Sequence, residues 1–153
     1  MWKHAARLLV LLSALAVVTA AAACGGSDVV GPGGLQGTYD LVSVNGQPLP
    51  AVLEEDEWET GTVAFVVSQG SLTITPTSDE GGNYAVSLTI QFTLDGEVLE
   101  QFSENSGGTY TVAGNAITFS DETGDITGTV TGDRITVTFP ESEFGEITLV
   151  FEK

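Results

Sequence analysis

The sequence predicts an all-β domain, an antiparallel up-and-down barrel of about eight to ten short strands. Three observations lead there. Apolar and polar residues alternate with a period of two along most of the chain after the first 34 residues. Turn dipeptides interrupt the alternation every eight to twelve residues or so. No stretch beyond the N-terminal segment keeps a helical period.

The chain opens with "MWKHAARLLVLLSALAVVTAAAAC". Lys3, His4 and Arg7 precede an apolar run from Leu8, broken only by Ser13 before Thr19, and small residues lead to Cys24. A basic start, a short apolar middle and a small-residue exit describe an export signal. The apolar middle falls short of the roughly 20 residues that span a bilayer. Two readings of Cys24, the only cysteine, follow. In one, the stretch resembles the lipobox of bacterial lipoproteins, which implies that Cys24 becomes the lipid-bearing N-terminus of the mature protein. In the other a general signal peptidase cuts within the alanines and leaves a free thiol, an awkward group in an oxidising compartment. The following "GGSDVVGPGG" reads as a flexible spacer in either case. The expected organisation is a signal over 1–23, a lipidated Gly-rich tether over 24–34 and a barrel domain over 35–153.

Charge excludes several functions. Removing the signal leaves Arg134 and Lys153 as the basic side chains against 21 acidic ones, a side-chain charge of −19 where the whole chain has −17. Two basic groups cannot neutralise a phosphate backbone, so nucleic acid is not an expected partner. The same holds for anionic lipid heads; contact with a membrane would come from the attached lipid. The mature chain also lacks histidine, and a lipidated Cys24 leaves no free thiol. Triad hydrolysis and Cys/His zinc sites then have no groups to run on. Paired carboxylates remain, but carboxylates are too many here for any pair to stand out. The expectation is a protein that is not an enzyme and holds no metal or cofactor.

Along the domain, "NYAVSLTIQFTL" (83–94) alternates most clearly, with Tyr84, Val86, Leu88, Ile90, Phe92 and Leu94 on one face. Val63, Phe65 and Val67 repeat the pattern, as do Leu72 and Ile74, Ile117 and Phe119, Ile135 to Phe139, and Ile147 to Phe151. Asn45-Gly46 and Asp95-Gly96 are tight-hairpin dipeptides. Gly114-Asn115, Asp121–Gly124 and Gly132-Asp133 serve similar joints. "TVAGNAITF" (111–119) and "TVTGDRITV" (129–137) look like one hairpin used twice.

The acidic run "EEDEWET" (54–60) places five carboxylates around Trp58. It reads as a solvated acidic loop, or at most one helical turn, whose tryptophan folds back on the core. A lid at the barrel mouth and a calcium loop are the functional alternatives, and the calcium reading lacks the spacing of a known loop. Glu100 in "EVLEQFSE" shares a strand face with Val98 and Phe102. If that face points inward it is a ligand anchor; if the strand is irregular there, as Leu99 suggests, it is in water. Arg134 reads as half of a surface salt bridge.

Two resemblances add to this. The stretch before Cys24 resembles the lipobox of bacterial lipoproteins, with Ala21 where that family prefers Leu. It implies an acylated Cys24 and an outer-membrane or cell-surface destination, with which Gly25 in place of Asp agrees. "LQGTYDLVSVNGQPLP" (35–50) resembles the opening of small bacterial lipocalin-like domains, with Gly37-Thr38-Tyr39 where lipocalins carry Gly-x-Trp. The closing "ITLVFEK" resembles their last strand. META-type domains open similarly but carry a Gly-Cys-Asn motif that is missing here. The lipocalin likeness implies that Tyr39 plugs the closed end, with Arg134 as the one candidate for a cation against it. It also implies a cavity for a small hydrophobic or amphipathic ligand, lined by Tyr39, Phe65, Tyr84, Phe92, Glu100 and Phe102, with Trp58 as a lid. Bulky inward residues argue for the alternative, a packed barrel that serves as a non-catalytic structural or interaction lipoprotein of the envelope, acting through its acidic surface on a protein partner.

Overall fold

A computed structural model describes residues 34–153, apart from residue 143 and the side chains of 141 and 142. The signal, Cys24 and the tether up to Gly33 lie outside the described residues. Ten strands follow in order: β1 Gly37–Val44, β2 Gln47–Pro48, β3 Ala51–Trp58, β4 Gly61–Pro76, β5 Gly81–Leu94, β6 Glu97–Ala113, β7 Ala116–Asp121, β8 Gly124–Thr131, β9 Arg134–Ser142 and β10 Gly145–Glu152.

Each strand from β4 to β10 pairs antiparallel with its neighbour in sequence, and β10 returns to β1. The lower half of β4 then pairs with β1, Gly37 opposite Ile74 and Asp40 opposite Ser71. That pairing closes an eight-stranded antiparallel barrel from β1 and β4–β10. The all-β, up-and-down expectation holds.

Local chemistry explains the joints. Asn45 (φ 51°) and Gly46 (φ 76°) both take the left-handed conformation, as do Asp95 and Gly96, so both tight hairpins form where the dipeptides stand. The two similar nine-residue segments are two hairpins at the same end of the barrel, β6–β7 and β8–β9. They place Val112 opposite Ile117 and Val130 opposite Ile135.

The inward face is packed. Leu72, Ile74, Tyr110, Ile117, Ile135 and Phe151 are all within 2% of full burial. Burying one such side chain is worth about 1.5–3 kcal/mol. The outward face is rich in threonine, with hydroxyl pairs Thr38–Thr73, Thr118–Thr127 and Thr138–Thr148 across neighbouring strands. An apolar lumen inside a polar wall reverses the pattern of a lipid-embedded barrel, so this wall suits water.

The strands are unequal, and this shapes the molecule. β4, β5 and β6 run for 16, 14 and 17 residues, β7 and β8 for 6 and 8. The runs Val63–Val67 and Leu72–Ile74, separate in the sequence reading, form one strand, β4, with a register shift between Val67 and Gln69. The upper parts of β4, β5 and β6 therefore rise beyond the barrel, joined by β3 on the far side of β4. The result is a four-stranded flange above one side of the barrel mouth.

Candidate functional site

The flange carries aromatic and acidic side chains above the sealed lower barrel; Val63 and Ala64 are buried in it, and Phe65 and Phe102 pack against the core. Its strands form because Phe65, Phe92 and their neighbours alternate with polar residues, and directly paired residues share a face. One row across it reads Glu54, Phe65, Phe92, Glu100. The next row up reads Asp56, Val63, Leu94, Glu97. Each row is an apolar pair between two carboxylates. Toward the barrel the third row, Ala51, Val67, Ile90 and Phe102, joins the core.

Aromatic rings fill the centre of this face. Phe65 and Phe92 lie 5.3 Å apart between centroids, and Trp58 lies 6.5 Å from Phe92. Phe144, from the β9–β10 turn on the opposite rim, sits 5.8 Å from Phe65. These distances and their tilted planes fall in the range of favourable aromatic pairs. Trp58 remains 50% exposed. The site is thus an aromatic floor at the open end, bounded by a hairpin tip and lined on both strand edges by carboxylates.

The run 54–60 is not a loop and contains no helical turn. Glu54–Trp58 belong to β3, because a bulge at Leu53 and pairing with Gly61–Phe65 carry the strand to its turn at Glu59-Thr60. Strand alternation sends its carboxylates to both faces, and among the described residues no three acidic groups gather around a metal-sized space. Trp58 neither reaches the barrel core nor hangs free; it leans on Phe92 at the mouth.

Glu100 is exposed, and the strand is irregular where Leu99 breaks the alternation. Val98 pairs with Thr93 and Glu100 with Phe92, so the bulge places Val98 and Glu100 on opposite faces. The sequence-based grouping of Val98 with Glu100 and Phe102 is corrected accordingly; Phe102 and Glu100 do share a face.

The six residues expected to line one cavity divide into two groups. Phe65, Phe92, Glu100 and Phe102 belong to the flange. Tyr39 and Tyr84 lie in the packed lower barrel. Tyr39 is buried and donates its hydroxyl to the Leu35 carbonyl at 3.0 Å. Burial pushes its pKa up, helped by the negative charge of Asp133 and by Tyr110. The Tyr110 hydroxyl is buried with no hydrogen-bond partner, and burial raises its pKa too. The cation over Tyr39 is Lys153, its Nζ 4.9 Å from the ring centroid and 3.3 Å from the Gly34 carbonyl. Arg134 is not that cation: it pairs with Glu152 on the surface, its Nε donating at 2.6 Å. The last residue of the chain does this because β10 runs down beside β1 and ends at the lower rim.

Tyr84 stacks edge-on against Phe119 at 4.9 Å and donates its hydroxyl to Asp121 at 3.3 Å. Burial opposes ionisation of Asp121. Hydrogen bonds from the Thr123 hydroxyl and amide, the Tyr84 hydroxyl and the Gly124 amide outweigh it and hold the carboxyl below its usual range.

An open cleft of about 340 Å³ lies elsewhere, at the seam where β1 and β4 part. Leu41 and Leu49 line it together with Asp40, Ser68, Gln69, Ser71, Ser87 and Thr89, so it is mixed in polarity and holds none of the expected cavity residues.

Sequence reasoning missed Phe144 and the length of β6. Phe144 sits in an ordinary turn context. The signal for β6 was present, since no turn dipeptide interrupts Glu97–Ala113 before Gly107-Gly108. Comparison with protein-family models, with curated proteins and with solved structures finds no match.

Proposed function

We propose that this chain is a non-catalytic, lipid-tethered binding module of the cell envelope, lipocalin-like in family, which captures an amphipathic cation on the flange. One observation carries the reading: the rows Glu54–Phe65–Phe92–Glu100 and Asp56–Val63–Leu94–Glu97 set an apolar centre between two acidic rails. An apolar tail would lie over Phe65 and Phe92. A positive head would meet the carboxylates and the half-exposed Trp58, whose ring face attracts cations. A side-chain charge near −19 raises the local concentration of such a ligand.

Packing of the lower barrel supports the mouth rather than the lumen as the place of binding. The place of Gly34, where a tether would join, agrees. Gly34 sits beside Lys153 at the lower rim, so a lipid on Cys24 would leave from the end opposite the flange. From Ile74 at that rim to Gly61 at the top, β4 runs for about 40 Å. The flange would then stand clear of the bilayer, facing solutes.

Native mass spectrometry of the protein purified from its producing cells tests the proposal. A stoichiometric positively charged amphipathic adduct, lost from the variant Phe92→Ala, is the expected outcome. A bound neutral or anionic lipid that survives in Phe92→Ala would overturn it.

A further inference from the structure

The upper edge of β6 is an open strand edge. β7 pairs with β6 only from Thr109 to Ala113. Over Glu97–Gly107 no described strand pairs with the far side. Pairing with β5 is regular from Glu100, opposite Phe92, to Gly107, opposite Ala85. Eight residues of regular strand, about 26 Å, thus present unpaired amides and carbonyls. Open edges are usually blunted by lysine, proline or bulges. β6 has a bulge only at Val98-Leu99, above this stretch, and no proline or lysine within it.

We propose that this edge takes an extended basic peptide segment as an added strand, with its side chains alternating as basic, polar, apolar, polar, basic. The pattern follows from the edge. Glu100, Phe102 and Glu104 share the face of Phe92, Ile90 and Leu88. Cross-strand neighbours on that face are satisfied by a cation, an apolar group and a cation. The opposite face carries Gln101, Ser103 and Asn105, all exposed, which calls for small polar partners. Main-chain hydrogen bonds supply the attachment and the alternating side chains the selectivity. A second copy of this chain does not fit, because edge-to-edge pairing would set Glu100 and Glu104 against like charges on a chain of net charge −17. The outer edge of β3 is guarded by Glu54, Glu55, Asp56 and Glu57 in succession. The inference rests on the flange being the binding element, but not on capture by its aromatic face.

The test uses the protein as purified from membranes and a synthetic ten-residue peptide, two repeats of Lys-Thr-Leu-Thr-Lys. A second peptide carries N-methyl groups on alternate amides, which blocks strand addition on that edge while keeping charge and apolarity. The first peptide is expected to bind and to slow hydrogen exchange within 100–107 by about tenfold or more. The N-methylated peptide and the variant Glu100→Gln/Glu104→Gln are expected to weaken binding at least about fivefold. The variant Trp58→Ala should bind the peptide as the parent does even where it no longer takes amphipathic cations, which separates this inference from the previous one. Equal binding of the N-methylated peptide, protection confined to other strands, or no binding would overturn the inference. Self-association with protection of 100–107 in the absence of peptide would also overturn it, in favour of a second copy.

Discussion

Asp121 shows how one carboxylate can do structural work in a chain crowded with acids. It accepts from Thr123 within its own turn and from Tyr84, 37 residues away, and so ties the β7–β8 turn to β5 across β6. Its folded pKa lies below the ordinary value of 3.8. On acidification the unfolded chain therefore takes up this proton first. The stabilisation is full well above pH 4 or so and is lost as pH falls through the depressed folded value. The variant Asp121→Asn should lie below the parent in stability at pH 6 and close the gap toward pH 3, as measured by urea midpoints. Tyr84→Phe, which removes one long hydrogen bond, should cost about 0.5–1.5 kcal/mol. None of this was legible in the sequence. Asp121 read as one more turn residue, because a contact made through tertiary closure leaves no local pattern. Arg134 was legible as half of a surface pair, since one cation among many acids on a strand finds a neighbour. Lys153 was not, because its role depends on where β10 ends relative to Tyr39.

Among the elements, β6 shows what alternation conveys and what it hides. Its neighbour β5 was readable throughout, since Tyr84 to Leu94 alternate without a fault. β6 signalled its length by the lack of an early turn, but its faces were not readable, because its upper half has a bulge at exposed Val98-Leu99 and polar residues on both faces beyond it. A strand that stands outside the core need not alternate. The close approach of β7 to β6 depends on Gly108: a Cβ there would run into the Ser120 carbonyl oxygen and touch the Tyr84 ring. Gly114, in the following turn, has open space around it and a φ of +65°. Two Gly→Ala changes six residues apart should thus differ in kind. Gly114→Ala should cost about 1 kcal/mol of left-handed strain. Gly108→Ala should cost about 3 kcal/mol, since backbone must move to admit the methyl. Denaturant titration of the two variants checks the ranking, and equal losses would mean that the β6–β7 contact is looser than described.

At the scale of the whole molecule, the barrel and the flange divide the work. Inward apolar residues and outward threonines were enough to foresee a closed antiparallel sheet, because period two and frequent turns leave few other ways to hide edges. The flange was not foreseen, because it arises from unequal strand lengths and from the bulges at Leu53, Val67–Gln69 and Leu99 that turn faces and end pairings. The expected cavity set, built on the idea of one uniform barrel, came apart for that reason. Its lower members fill the core, and of its upper members Phe92 meets Trp58 and Phe65 meets Phe144 at the mouth. The central claim is that this mouth selects amphipathic cations. It is tested most directly by Trp58 fluorescence in the variant Trp2→Phe, which leaves Trp58 as the one tryptophan. Decyltrimethylammonium and decyl sulfate, both below micelle formation, are titrated side by side. The account predicts a saturable change with the cation alone, weakened at least about fivefold by Glu54→Gln/Glu100→Gln and by added salt. An equal response to the anion, or a cationic response unchanged in that variant, would contradict it.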